Sequence, residues 1–145
     1  MVERLNLSES AKLYGKALSI IPGASQTMSK RPESFAPGAF PIFLERGKGS
    51  HVWDVDRNEY IDYIMSLGPI TLGYCDHAID DAVKKQLEEG TVLSLPHRLE
   101  IRAAEAMIDS IPCAEMVRFF KTGAEAAAAA VRVARAYTGK EKIAS

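Results

Sequence analysis

The sequence predicts an α/β protein, and three observations carry that prediction. Runs rich in β-branched and aromatic residues, separated by glycine and Asp56-Arg57-Asn58 turns, occupy the middle of the chain. Helical periodicity takes over after Gly73. A strand-like run, Met116-Val117-Arg118-Phe119-Phe120, then leads directly into a long alanine-rich helix, the order expected of a βα unit.

Taken in order, Ser8 or Ser10 is expected to cap a helix through Ile21, with Leu13, Ala17, Leu18 and Ile21 at helical spacing and Pro22-Gly23 as its stop. Ala24 to Pro41 carries no sustained periodicity and reads as a long loop. Ile42 to Arg46 and His51 to Val55 read as two strands joined by Gly47-Lys48-Gly49, and Glu59 to Ile64 as a third, giving a small antiparallel meander. Ile79, Ala82, Val83 and Leu87 mark a helix ending at Gly90; Leu99, Ile101, Ala104 and Ile108 mark another ending before Pro112. Met116 to Phe120 is then a strand, Thr122 to Thr138 a helix, and Lys142-Ile143-Ala144 the beginning of a further strand. Ordinary strands run to ~5–6 residues, so the sequence reads as the front of a larger domain.

Composition excludes several classes. The 145 residues are 47% apolar and 26% charged with a net charge of −1, which suits an ordinary soluble domain. Eighteen basic against nineteen acidic side chains leave no field to attract nucleic acid. The longest apolar run, Ala126 to Val131, falls far short of the ~20 residues of a membrane span, and Met1 to Ser10 lacks the apolar core of a secretory signal. Cys75 and Cys113 form no disulfide framework and read as buried filler, so a cytoplasmic protein is expected. His51, His77 and His97 have no metal-ligand spacing, and no metal is expected.

One constellation carries chemistry. In Lys121-Thr122-Gly123-Ala124-Glu125, Thr122 and Glu125 form a capping box, Gly123 leaves the backbone open, and the first amides of the helix face outward at its positive end. A plain helix cap explains the box fully; a phosphate cradle uses the same geometry. Gly47-Lys48-Gly49 is a poor dinucleotide motif, because Val52 stands at the third glycine and no helix follows.

Arg118-Phe119 through Glu125-Ala126, with Arg132, Ala134, Arg135 and Thr138-Gly139, resembles the signature of class-III aminotransferases, which are pyridoxal-phosphate enzymes. Gly47-x-Gly49, Val52-Trp53-Asp54-Val55-Asp56, Tyr60-Ile61-Asp62, Gly68-Pro69, Leu72-Gly73-Tyr74 and His77 resemble the same family in the same order. Pro22-Gly23 and the loop after it resemble the glutamate-1-semialdehyde 2,1-aminomutase branch.

The resemblance implies the N-terminal part of the fold-type I, aspartate aminotransferase-like fold. Residues 1–70 would be the N-terminal arm and small-domain meander, and residues 71–145 the truncated start of the large cofactor-binding α/β domain. It implies pyridoxal 5'-phosphate, with Thr122, Gly123 and Ala124 around its phosphate and Ala124 where a hydroxyl residue is common. Thr27 and Lys30 match the serine and arginine that hold the substrate carboxylate in that branch, and Leu67 stands where it has tryptophan. A lysine lacks the planar fork of arginine, so the carboxylate grip is expected to differ, and the missing aromatic wall at Leu67 points to a different amino or keto (or aldehyde) substrate. The reaction implied is amino-group transfer through a lysine aldimine, as aminotransferase or aminomutase, in a cytoplasmic homodimer. The Schiff-base lysine and the pyridinium acid are expected beyond Ser145; no catalytic residue is assigned here, and Lys121 reads as a surface lysine. The alternative is a naturally short, non-catalytic phosphate-binding or assembly module.

Overall fold

The computed structural model describes residues 5–36 and 38–144. Along the chain run α1 (Ser8–Ile20), β1 (Leu44–Lys48), β2 (His51–Asp54), β3 (Glu59–Ile61), α2 (His77–Glu89), α3 (Arg98–Ser110) and α4 (Gly123–Thr138). They fall into two compact units, Met1–Thr91 and Val92–Ser145.

The first unit is built on an antiparallel sheet in the order β1-β2-β3, as the meander reading expects. Its register sets Gly47 opposite Val52 and Val52 opposite Tyr60. Val52 and Asp54 are buried on one face, while His51 and Trp53 alternate to the other. Gly47 must lack a side chain, since an added Cβ would run into the Tyr74 ring. Gly49 and Tyr74 exchange both backbone hydrogen bonds at 2.8 Å, fastening the later chain to the turn. β3 stops at Ile61 instead of reaching Ile64, because the Asp62 carboxylate accepts the amides of Ile64 (2.8 Å) and Met65 (3.1 Å) and turns the chain out of the ladder.

Neither Ser8 nor Ser10 caps α1. Both lie inside the helix, and Leu7 at the cap position supplies no side-chain acceptor. Asn6 Oδ1 takes the Ser8 amide at 3.2 Å, and the next two acceptors come from the β2–β3 turn: Asp56 Oδ1 takes the Glu9 amide at 2.7 Å and Oδ2 the Ser10 amide at 2.9 Å. After α1 the chain reverses at Gly23, which has φ 70° and lies where a Cβ would meet Arg31 Nε at 2.8 Å. The loop to Pro41 contains short 3-10 turns at Met28–Lys30 and Pro32–Ser34.

The helices after Gly73 form where periodicity places them, each with a cap. Asp76 accepts the amides of Ala78 and Ile79, His97 and Glu100 make a capping box, and Thr122 and Glu125 make another. Two expected strands do not form: Met116 to Phe120 and Lys142 to Ala144 are irregular. A strand exists only as a ladder, and among the described residues neither run has a partner strand. The cysteines also depart from expectation, since both are exposed. Cys75 sits at φ 56° in the turn before α2, its thiol 3.3 Å from the Gly47 carbonyl, and Cys113 lies in the α3–α4 connection.

Among the described residues no helix is long and apolar enough to cross a membrane, and no group of three His, Cys, Asp or Glu side chains is placed to hold a metal ion.

Candidate functional site

At the head of α4, Thr122 is extended (φ −132°, ψ 155°) and Gly123 begins the helix. Thr122 Oγ1 accepts the Glu125 amide at 3.2 Å, and Glu125 Oε2 accepts the Thr122 amide at 2.9 Å. The Thr122 hydroxyl also lies 3.2 Å from Glu125 Oε2, to which it donates. The box therefore occupies Thr122 and Glu125. The amides of Gly123 and Ala124 have no acceptor among the described residues, and a Cβ on Gly123 would meet nothing within 4 Å. Two adjacent unpaired donors, an open approach and the positive end of a 16-residue helix are the features that can receive an anion without any basic side chain. Lys121 is exposed, as expected.

In the first unit a cavity of about 670 Å³ is walled chiefly by apolar and aromatic groups, among them Tyr14, Phe35, Phe43 and Tyr63. Lys30 and Leu67 both line it, so two of the three residues matched to substrate contacts face the same cavity. Thr27 is exposed and does not line the cavity; its amide and carbonyl are tied to the Ser25 hydroxyl at 3.4 and 3.1 Å.

Leu67 reaches the cavity through an unusual backbone. Met65, Ser66 and Leu67 have φ of 47°, 51° and 64°, three successive non-glycine residues in the left-handed region, which disfavours L side chains by about 1–2 kcal/mol each. Asp62 braces this turn through the two amides above, and its other oxygen accepts the Tyr74 hydroxyl at 2.6 Å. Burial pushes the Asp62 carboxyl up, but the Tyr74 hydroxyl and the two amides outweigh it and hold the group below its ordinary value. Burial and the facing carboxylate raise Tyr74.

A second brace lies beneath the sheet. The fully buried Asp54 accepts the Asn58 amide (2.8 Å), Asn58 Nδ2 (2.7 Å) and Tyr60 Oη (2.8 Å), so its desolvated charge is hydrogen-bonded on both oxygens. Burial, then Asp54, pushes the Tyr60 hydroxyl well above its usual range. Sequence reasoning quoted Asp54, Asp56 and Asp62 without assigning them work. The available signal was acidic residues spaced two and six apart around a turn in an otherwise strand-like run.

The model of the class-III aminotransferase family matches residues 34–145. The chain belongs to the class-III aminotransferase family. It is 44% identical over 145 residues to the 3-aminobutyryl-CoA aminotransferase of Cloacimonas acidaminovorans, covering 99% of this chain and 35% of that protein. It is 42% identical over 139 residues to the glutamate-1-semialdehyde 2,1-aminomutase of Persephonella marina, covering 96% and 32%. Among solved structures, the FumI protein of Sphingopyxis sp. MTA144, in its PLP internal aldimine form, superposes with a TM-score of 0.83 at 32% identity over 91% of this chain and 31% of that one. The chain thus spans about a third of the length of the curated relatives it matches. The α/β architecture expected from sequence matches about 30% of the chain of solved transaminases, one of them with PLP bound.

Proposed function

We propose that this class-III aminotransferase chain supplies the cofactor-phosphate turn and part of the substrate wall of a pyridoxal-phosphate-dependent aminotransferase or aminomutase. The observation that carries the reading is the pair of unpaired amides, Gly123 and Ala124, held open at the head of α4 by the Thr122–Glu125 box. A phosphate there accepts two backbone hydrogen bonds and meets the helix dipole. Thr122 acts by holding the turn in shape, since its hydroxyl is engaged by Glu125, and Ala124 contributes its amide alone. When bound, pyridoxal 5'-phosphate supplies the carbonyl that takes up the amino group and the ring that withdraws electrons.

For the substrate we assign Lys30 as the cation facing a carboxylate, with Thr27 beside it in sequence, and Leu67 as an aliphatic wall. These groups bind and orient; proton transfer is assigned to no residue of this segment. Residues 1–70 are then the arm and small-domain meander and 71–145 the beginning of the large cofactor domain, in a cytoplasmic homodimer acting on a small amino, keto or aldehyde substrate.

The test is Gly123→Pro. Thr122 already has the extended backbone that precedes proline, and proline suits the first helical position, so α4 should keep its helicity by circular dichroism. The substitution deletes one unpaired amide and fills the approach. Losing one hydrogen bond to a charged group, ~1.5–3 kcal/mol, should weaken pyridoxal phosphate binding roughly 10- to 150-fold in the protein as produced by its native host. Unchanged affinity would mean that the phosphate lies elsewhere.

A further inference from the structure

We propose that Asp56 is a positioning residue: its carboxylate caps α1 from across the fold, clips the N-terminal arm to the meander, and so sets the cavity wall built by Tyr14 and the loop after α1. The proposal deepens the reading above, because the cavity matters to reaction only if substrate occupies it.

Four observations converge. First, the cap residue Leu7 offers no side-chain acceptor and the local Asn6 Oδ1 takes only the Ser8 amide at 3.2 Å, while both Asp56 oxygens are spent on the next two first-turn amides, 46 and 47 residues away in sequence. A cap from a neighbouring residue would stabilise the helix wherever it lay; this one also fixes where it lies. Second, the rest of the same turn points the same way. Asn58 Nδ2 donates to the Asn6 carbonyl at 2.7 Å, and Asn58 is itself locked by the buried Asp54.

Third, the clip aligns with the cavity. Ser10, Tyr14 and Ala17 stand at i, i+4 and i+7 and share one face of α1. Ser10 and Ala17 are buried, and Tyr14 between them lines the cavity and donates to Glu33 Oε1 at 3.1 Å. Tyr14 lies about 6 Å along the helix from Ser10, so movement at the clip reaches the wall through a rigid element. Ile21 and Ala24, just beyond α1, line the same cavity. Fourth, little apolar burial fastens the helix, since Leu18 and Ile20 are exposed and Leu13 is only half-buried.

The experiment compares Asp56→Ala, Asp56→Asn and the double variant Asp56→Ala with Leu7→Asp, each produced in the native host and carrying its cofactor. Leu7→Asp gives α1 a local cap without restoring the clip. Amide hydrogen exchange is read at Glu9, Ser10 and residues 21–36, and KM for the amino donor is measured apart from kcat. Asp56→Ala should speed exchange at Glu9 and Ser10 at least tenfold, speed it across 21–36, and raise KM several-fold with kcat within about twofold. Asp56→Asn, which retains one acceptor and the shape, should lie between. The double variant should regain protection at Glu9 and Ser10 while exchange at 21–36 stays fast and KM stays high. Recovery of the wall and of KM in the double variant would reduce Asp56 to a helix stabiliser and overturn the proposal, as would unchanged exchange at 21–36 in Asp56→Ala. If the unsubstituted protein transfers no amino group, the functional reading fails by itself, and the exchange data still decide the clip.

Discussion

Ala124 offers a gain-of-binding counterpart to Gly123→Pro. Its amide is unpaired but its methyl offers the phosphate nothing, so Ala124→Ser should add a hydroxyl beside the same oxygens and tighten pyridoxal phosphate binding about tenfold, read by equilibrium dialysis. Asp62 gives a pH test. Its folded pKa lies below the ordinary 3.8, so the brace it provides is complete above that value and is lost as pH falls through the depressed one. Tyr74→Phe removes the strongest of the lowering contacts and should move the Asp62 midpoint up toward 3.8, followed by the 13C shift of its carboxyl. Residues that work locally were readable: Thr122 and Glu125 are three apart and their box is stated by residue type alone. Asp56 was not readable, because its partners lie 46 and 47 residues away and nothing in Asp56-Arg57-Asn58 distinguishes a surface turn from a remote cap.

At the scale of elements, the same distinction separates helices from strands. Helical periodicity and caps are properties of one segment, so α2, α3 and α4 form where apolar spacing places them. Strands depend on partners, and Met116 to Phe120 has the composition without the ladder. Where partners are adjacent, as in β1-β2-β3, the meander was legible apart from its edges. Its sharpest requirement is Gly47, which lets the Tyr74 ring lie across β1 while the Tyr74 hydroxyl reaches Asp62. Gly47→Ala should drive the ring away, loosen both the Gly49–Tyr74 bridge and the Asp62 turn, and cost about 1–3 kcal/mol by urea unfolding, with faster exchange at the Ile64 and Met65 amides.

For the whole molecule the decisive quantity is apolar surface. The buried apolar residues among those described are only Ala17, Ala24 and Val52. On α2, Ile79, Val83 and Leu87 recur every fourth position yet are 53%, 53% and 60% exposed, and Leu99, Ile101 and Met107 on α3 are also exposed. Burying such side chains is worth roughly 1.5–3 kcal/mol each, so these helices leave a large stabilisation unclaimed. Patterned exposure of this kind marks surfaces that are covered in use. The relatives are about three times as long as the matched segment, which supplies chain enough to cover them. A polypeptide of these 145 residues alone should therefore enhance the fluorescence of an apolar dye such as ANS and sediment above its 15.8 kDa monomer mass. Lysines at Val83 and Leu87 should reduce both signals. A dye-silent monomer would instead favour the short phosphate-binding module, since a chain selected at this length must solve its own burial.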